Sequence, residues 1–247
     1  MEGNGQRREA GMMNLDELIA TREGLAQAEF TVPQSAILER FENLYTGLVS
    51  DVLREFCLLN QALPSYLIPL RPEKTVAGVA FTVKSAPNVR ITGEMETRTR
   101  MLGELTPDAF VMWDASGDYR ATLWGGVMTA TSVRMGVRSA CIDGGIRDIH
   151  QIMEKDFPVF YRYRSPNGSL GRCQISDYQI PILIGDVVIK PGDVVLGDID
   201  GVVVVPRDIA EAVLLRAEAM KKGEDEIFSW VAAGQSIEEI TGKGGYF

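Results

Sequence analysis

The segment spanning residues 109–155 constrains the fold more than any other part of this sequence. Residues 109–113 (AFVMW) form a short apolar run suited to a buried strand, and residues 114–118 a loop. After Trp124-Gly125-Gly126, a helical pattern runs through Met128, Ala130, Val133 and Met135 and stops at Gly136. Residues 137–142 read as a second strand and Asp143-Gly144-Gly145 as a sharp turn. A second helix is expected from about Arg147 to Lys155. Strand, helix, strand, helix in this order favours parallel strands with helices packed on them, an α/β fold. In such a sheet two consecutive strand-to-helix loops lie at the same edge, so residues 124–128 and 143–148 are expected to face one pocket.

The flanks extend the pattern. Helical spacing recurs in residues 15–28 and again in 35–59, where Ser35 suits an N-cap and Leu38, Phe41, Leu44 and Leu48 mark a face. Ser50-Asp51, after Gly47, suits the start of a separate helix. Residues 76–83 (VAGVAFTV) read as a strand, and 93–104 as a helix ended by Thr106-Pro107-Asp108. From residue 158 the character changes. Short strands are expected at 158–161, 181–184, 187–189, 194–196 and 202–205, with turns at 185–186, 191–193 and 198–201. Residues 207–222 and 224–233 read as helices, with 221–226 as a solvated junction and Gly234 as the final stop. No repeat or linker divides the chain, so one α/β domain with N- and C-terminal helical arms is expected.

Composition narrows the function. The 247 residues carry 34 acidic and 25 basic side chains, a net charge of −9. That surface has no general attraction for nucleic acid or an anionic membrane, and an anionic substrate would need a locally positive pocket. Cys57, Cys141 and Cys173 are odd in number and widely spaced, which gives neither a disulfide framework nor a zinc site and suits a reducing, cytoplasmic compartment. His150 is the single histidine, so no multi-histidine metal site forms within the chain and a Ser-His-Asp triad is disfavoured. No run is long and apolar enough to span a membrane, and residues 1 to about 14, read as a loose tail, contain no apolar signal core.

The segment Asp143-Gly144-Gly145-Ile146-Arg147-Asp148 is the strongest chemical candidate. Arg147 offers a planar fork suited to a carboxylate, and Asp148 a hard oxygen suited to magnesium or manganese. Asp143, at the strand end, serves equally as a turn cap. A dipole-matched, solvated Arg-Asp pair at a helix start would look the same. Trp124-Gly125-Gly126-Val127-Met128 is the second candidate, because glycines ahead of a helix expose backbone N–H groups to an anionic oxygen; the same glycines would also permit close helix–sheet packing. His150 suits a partly exposed helix position. Asp198-Ile199-Asp200-Gly201 reads as a β-turn, and Cys141 as core.

Gly125-Gly126-Val127-Met128, then Arg147-Asp148 within DGGIRD, then PGDVVLGDIDGVVVVP, together resemble the RraA-like family. That family joins ribonuclease E activity regulators to the class II 4-hydroxy-4-methyl-2-oxoglutarate (HMG) and 4-carboxy-4-hydroxy-2-oxoadipate (CHA) aldolases. The resemblance covers roughly residues 35–234 and sets the expected RraA-like/HMG aldolase domain at 35–247. Residues 1–34 are left as an extension that is partly disordered or packs on a neighbouring subunit. It implies a single α/β/β swivelling-type domain, assembled as a homotrimer or dimer of trimers with the site between subunits. It also implies a metal-dependent carbon–carbon lyase that releases pyruvate from a small 2-oxo acid, by aldol cleavage or oxaloacetate decarboxylation. By this resemblance Arg147 binds the oxo acid, Asp148 anchors Mg2+ (or Mn2+), and residues 125–128 contact substrate through backbone N–H groups. Glu224, with Glu226 as the other match, would complete the metal shell of a neighbouring subunit. One departure stands out. The aldolases carry an Asp twenty-one positions before the Arg, where this chain has Gly126. Retro-aldol cleavage must deprotonate a hydroxyl, whereas decarboxylation needs only a stabilised enolate. Asp114 and Asp118, on the preceding loop, are the candidates to replace that carboxylate. The rival implication is a non-catalytic regulator that binds a ribonuclease or helicase.

Overall fold

A computed structural model describes residues 29–89, 92–118 and 120–245. The helical pattern at 15–28, and with it most of the 1–34 extension, lies outside the described residues. The end of that extension rests on the chain's own C-terminal part. Thr31 donates from N and Oγ1 to the Glu211 carboxylate, and the Arg207 guanidinium lies 4.0 Å from the Phe30 ring centre.

A nine-stranded curled sheet organises the described residues. Its parallel centre is built from β2 (Val76–Pro87), β3 (Ala109–Asp114), β5 (Ser139–Ile146) and β6 (Val159–Arg164), side by side in that order. Three crossover helices connect them: α3 (Glu94–Gly103), α4 (Gly126–Arg134) and α5 (Ile149–Glu154). Short β4 (Thr122–Trp124) pairs in parallel with the end of β5, and β1 (Ile68–Pro69) closes the β6 edge. On its other side, long β2 pairs antiparallel with β10 (Val194–Gly197) along its first half. It pairs with β7 (Cys173–Tyr178) along its second, across a bulge at Lys84/Ser85. β11 (Val202–Val205) ends the sheet beside β10.

Alternation along the strands separates two faces. Ala77, Phe81, Val111, Trp113 and Ile142 join the apolar clusters that also contain helical residues. Met101, Met128 and Ile152 come from the crossover helices, and Leu48 and Val213 from α2 (Thr46–Glu55) and α6 (Ala210–Ala232). The opposite residues, Ala80, Phe110, Met112, Cys141 and Phe160, pack against Ile182, Ile184, Val187 and Ile189 of the hairpin β8 (Ile182–Ile184) and β9 (Val187–Ile189). Helices, sheet and hairpin thus form the expected α/β/β layers. No helix among the described residues is long and apolar enough to cross a membrane.

Five local expectations need correction. α1 (Gln34–Phe41) begins one residue before Ser35, after Pro33, whose ring fixes the entry φ at −52°; Ser35 caps nothing. α2 starts at Thr46 and not at Ser50. Its cap is remote: the Asp198 carboxylate accepts from Thr46 N and Thr46 Oγ1, both at 2.7 Å. Residues 143–145 are not a turn but the continuation of β5. The glycines there admit neighbours, since a Cβ on Gly145 would stand 2.5 Å from Cε2 of Tyr163. Asp143 is therefore a buried strand residue, its carboxylate 2.9 Å from Nε of Arg162. Burial pushes its pKa up, and Arg162 opposes the shift. Finally, 210–232 is one helix: an interior Gly223 costs only about 1 kcal/mol, less than packing the first half of α6 provides.

The turn at 198–201 is structural, as expected, and Asp198 is buried at 5% exposure while accepting three hydrogen bonds, the third from Asp200 N. Asp198→Ala should cost about 2–3 kcal/mol by leaving the start of α2 uncapped and buried donors unpaired. Urea unfolding checks this: the midpoint should fall with an unchanged slope.

Candidate active site

The two segments singled out in the sequence meet at one edge of the sheet. Trp124 ends β4, and its indole N–H donates to Thr129 Oγ1 at 2.9 Å, while that hydroxyl donates to the Gly125 carbonyl at 3.1 Å. This chain of bonds fixes the Gly125-Gly126 corner against the first turn of α4. One strand over, Arg147 leaves β5 with its N–H bonded to the Trp124 carbonyl at 3.0 Å. Asp148 then adopts a left-handed conformation, φ 56° and ψ 40°, before α5 begins at Ile149. The helix does not start at Arg147, and its backbone N–H serves the sheet. A left-handed Asp costs roughly 1 kcal/mol, and such strain concentrates at functional sites.

That conformation aims the Asp148 side chain back at α4, where its Oδ2 accepts from Gly126 N at 3.2 Å. A Cβ on Gly125 would sit 2.7 Å from the same oxygen and 3.3 Å from Cγ of Arg147, so the approach of the two loops requires glycine there. A Cβ on Gly126 would lie 1.7 Å from Oε1 of Gln151. The position that carries a carboxylate in the aldolases is thus filled by the Gln151 amide, reaching over from α5. The Gly126 N–H, expected to meet substrate, is taken by Asp148.

Arg147 and Asp148 are half-exposed, with Nε and Oδ2 3.6 Å apart, a loose pair of small energetic worth. An inner pocket beside them is lined by Gly125, Val127, Met128, Trp124, Arg98 and Ser169, among others. An outer, more open one is lined by His150, Arg164 and Ser165. His150 is exposed, as expected. Arg98 and Ser169 were not evident from the sequence. Arg98 lies in a helix whose alternating charges read as a solvated face, and Ser169 in a loop without a motif. Burial pushes the Arg98 pKa below the ordinary guanidinium value, and Arg147 adds to the shift.

Other candidates lie elsewhere. Asp114 is tied to Lys84 and accepts from Ser116 N, and Asp118 is held by Arg120, which keeps its pKa low; neither lines the pockets that hold Arg147 and Asp148. Within one chain Glu224 is on α6, where it accepts from the Tyr45 hydroxyl, and it lines neither pocket. Glu226 is exposed on the same helix. Cys141 is core, its thiol pKa raised by burial.

Comparisons with known proteins agree with this architecture. A family model described as "RraA-like: Aldolase/RraA" matches residues 46–204. A Halalkalibacterium halodurans protein named "Putative 4-hydroxy-4-methyl-2-oxoglutarate aldolase" is 32% identical over 189 residues, 76% of this chain and 85% of that protein. Protein DlpA of Legionella pneumophila is 25% identical over 88% of this chain, which spans only 35% of DlpA's length. A crystal structure described as one of "novel cellulases from microbes associated with the gut ecosystem" superposes with a TM-score of 0.84. It has 62% sequence identity, over 89% of this chain and 99% of that one. On these matches and on its α/β/β architecture, the chain belongs to the RraA-like family.

Proposed function

We propose that this protein is a divalent-metal-dependent carbon–carbon lyase that releases pyruvate from a small 2-oxo acid, by oxaloacetate decarboxylation or aldol cleavage. The observation that carries the reading is the junction of Arg147 and Asp148 with the Gly125-Gly126 corner. A guanidinium fork and a hard carboxylate oxygen stand there at the mouth of one pocket of mixed polar and apolar lining. The name of the Halalkalibacterium halodurans relative supports the same class.

The residues suit a magnesium or manganese ion held through few protein ligands. Such ions are commonly bound by one or two carboxylates, with waters and substrate oxygens completing the shell. Asp148 is the ligand within the chain. By the family resemblance, the second carboxylate comes from a neighbouring subunit of a homotrimer or dimer of trimers, with Glu224, or else Glu226, as its match in this chain. When bound, the ion would polarise the 2-oxo group. The chain's own residues do the rest. Arg147 holds the carboxylate beside the oxo group and offsets charge that develops as the carbon–carbon bond breaks. Trp124 and Met128 wall the pocket and limit water around the reacting centre. With Gln151 over Gly126, the carboxylate that assists proton transfer in the aldolases has no counterpart there, which favours decarboxylation.

Pyruvate release from oxaloacetate and from branched 4-hydroxy-2-oxo acids, assayed with and without magnesium, tests the proposal. Turnover should vanish on chelation and return with Mg2+ or Mn2+. Undiminished turnover after full demetallation sinks it. The filled space at Gly126 also supports a second reading, a regulator without catalysis that docks on a ribonuclease or helicase. Pyruvate release from none of these acids, with binding of a purified ribonuclease, would select it. Glycoside hydrolysis, the activity named for the solved relative, calls for two carboxylates flanking the scissile bond. Asp148 is the one carboxylate lining either pocket at this site among the described residues.

A further inference from the structure

The inner pocket holds a second guanidinium. Arg98 reaches in from α3, and its Nη2 donates to Ser169 Oγ at 2.7 Å while Nη1 points at Sδ of Met128 at 3.4 Å. Its Cζ lies 5.8 Å from the centre of the Trp113 ring. All three partners are uncharged, and no carboxylate of a described residue lies within ion-pair distance of Arg98. The 168–169 backbone draws both arginines to the same wall. A Cβ on Gly168 would come within 2.9 Å of Nη1 of Arg147, and Ser169 is the residue bonded to Arg98. Glu94 accepts from Gly171 N at 2.9 Å and so ties the start of α3 to the same loop.

Glu94, one helical turn earlier, attracts Arg98 only at longer range and is already bonded to Asn88 and Gly171 N. A partly buried cation whose direct partners are neutral is thus still under-compensated, and an anion is the complement that restores the balance. Asp148, loosely paired with Arg147, cannot neutralise two guanidinium groups. The geometry points to Arg98 as a specificity-determining residue that receives the distal carboxylate of the substrate, while Arg147 holds the 2-oxo acid end. The pocket thereby selects 2-oxo dicarboxylates over monocarboxylates of equal length at the binding step. Where the distal carboxylate leaves as CO2, its charge passes to the enolate beside Arg147, and the Arg98 contact is given up as the carbon–carbon bond breaks. This assignment rests on the oxo-acid reading above.

Two uncleaved probes separate the claims: 2-oxoglutarate, and 2-oxopentanoate, which replaces the distal carboxylate with a methyl group. Calorimetric titration with magnesium present should show 2-oxoglutarate binding tighter by about tenfold or more, as expected for charge-assisted hydrogen bonds. Arg98→Gln should bring that ratio close to one. Arg98→Met, whose unbranched side chain still covers the Trp113 ring, should do the same and serves if the Gln variant does not fold. Arg147→Gln should weaken both probes and leave the ratio above one. A folded Arg98 variant that keeps the preference overturns the assignment, as does a wild-type protein that binds the two probes equally; in both cases the oxo-acid reading stands. A wild-type protein that binds neither probe removes that reading and this inference together.

Discussion

Replacing Arg147 by alanine should lower kcat/KM for pyruvate release by about 10²–10³-fold, the usual effect of deleting one donor aimed at developing charge. Both consequences of the substitution act in the same direction. On the proposed reading, the substrate carboxylate would lose a two-pronged, charge-assisted contact, and the pocket mouth would lose the cation proposed to offset the enolate. Little of the loss should come from folding, because Arg147 is half-exposed and its pairing with Asp148 is loose. The thermal midpoint of the variant should therefore stay within a few degrees of wild type. Arg147→Lys should recover little, since an ammonium is a point charge and cannot match a carboxylate with two parallel donors. Steady-state kinetics on oxaloacetate decide the matter. Near-wild-type kcat/KM in the alanine variant would remove Arg147 from the mechanism and leave its exposed position as that of an ordinary surface arginine.

How far the sequence could be read depended on whether the deciding interaction was local. Apolar runs such as VAGVAFTV and AFVMW became strands because nearly every residue in them is buried, so no alternation was needed to see them. β7 was missed because Cys173 and Ile175 are its only buried residues, and a two-residue alternation is weak. The helix Ile237–Gly242 was missed although its signal was present. Ser236 and Glu239 form a reciprocal capping box, a pattern visible in sequence but easily overlooked beyond the Gly234 stop. The start of α2 could not be read, because its cap, Asp198, lies 152 residues away. At the site, the proximity of the Gly125-Gly126 corner to Arg147-Asp148 followed from parallel topology alone. The details did not. Gly144 and Gly145 resembled a turn but are strand residues pressed by Ala115 and Tyr163, and the real corner is a left-handed Asp148. Arg98 was invisible for a related reason. A charged residue on a short helix gains meaning only when another segment, here 168–169, closes over it.

Trp113→Ala should be among the most damaging single truncations in the core, at about 3–5 kcal/mol. Trp113 is 0% exposed in β3, within the parallel centre of the sheet, and meets Trp124 edge-on with ring centres 6.5 Å apart. Its Nε1 donates to Ser85 Oγ at 2.7 Å, which ties β3 to β2 just past the bulge of β2. Alanine would leave a large cavity and an unpaired buried hydroxyl. In a chain of this size, 1 kcal/mol moves the thermal midpoint by about 2–4 °C, so a fall of roughly 10 °C or more is expected. Trp113→Phe separates the two contributions. It retains most of the ring packing but loses the N–H, and it should cost about 1–2 kcal/mol. Because Trp113 also lies beneath Arg98, and Trp124 begins the Gly125-Gly126 corner, the same cavity should loosen both walls of the pocket. Activity measured well below the lowered midpoint should then fall more in Trp113→Ala than in Trp113→Phe. Equal midpoints for wild type and the alanine variant would show that β3 does not pack as described, and the placement of the pocket would fall with it.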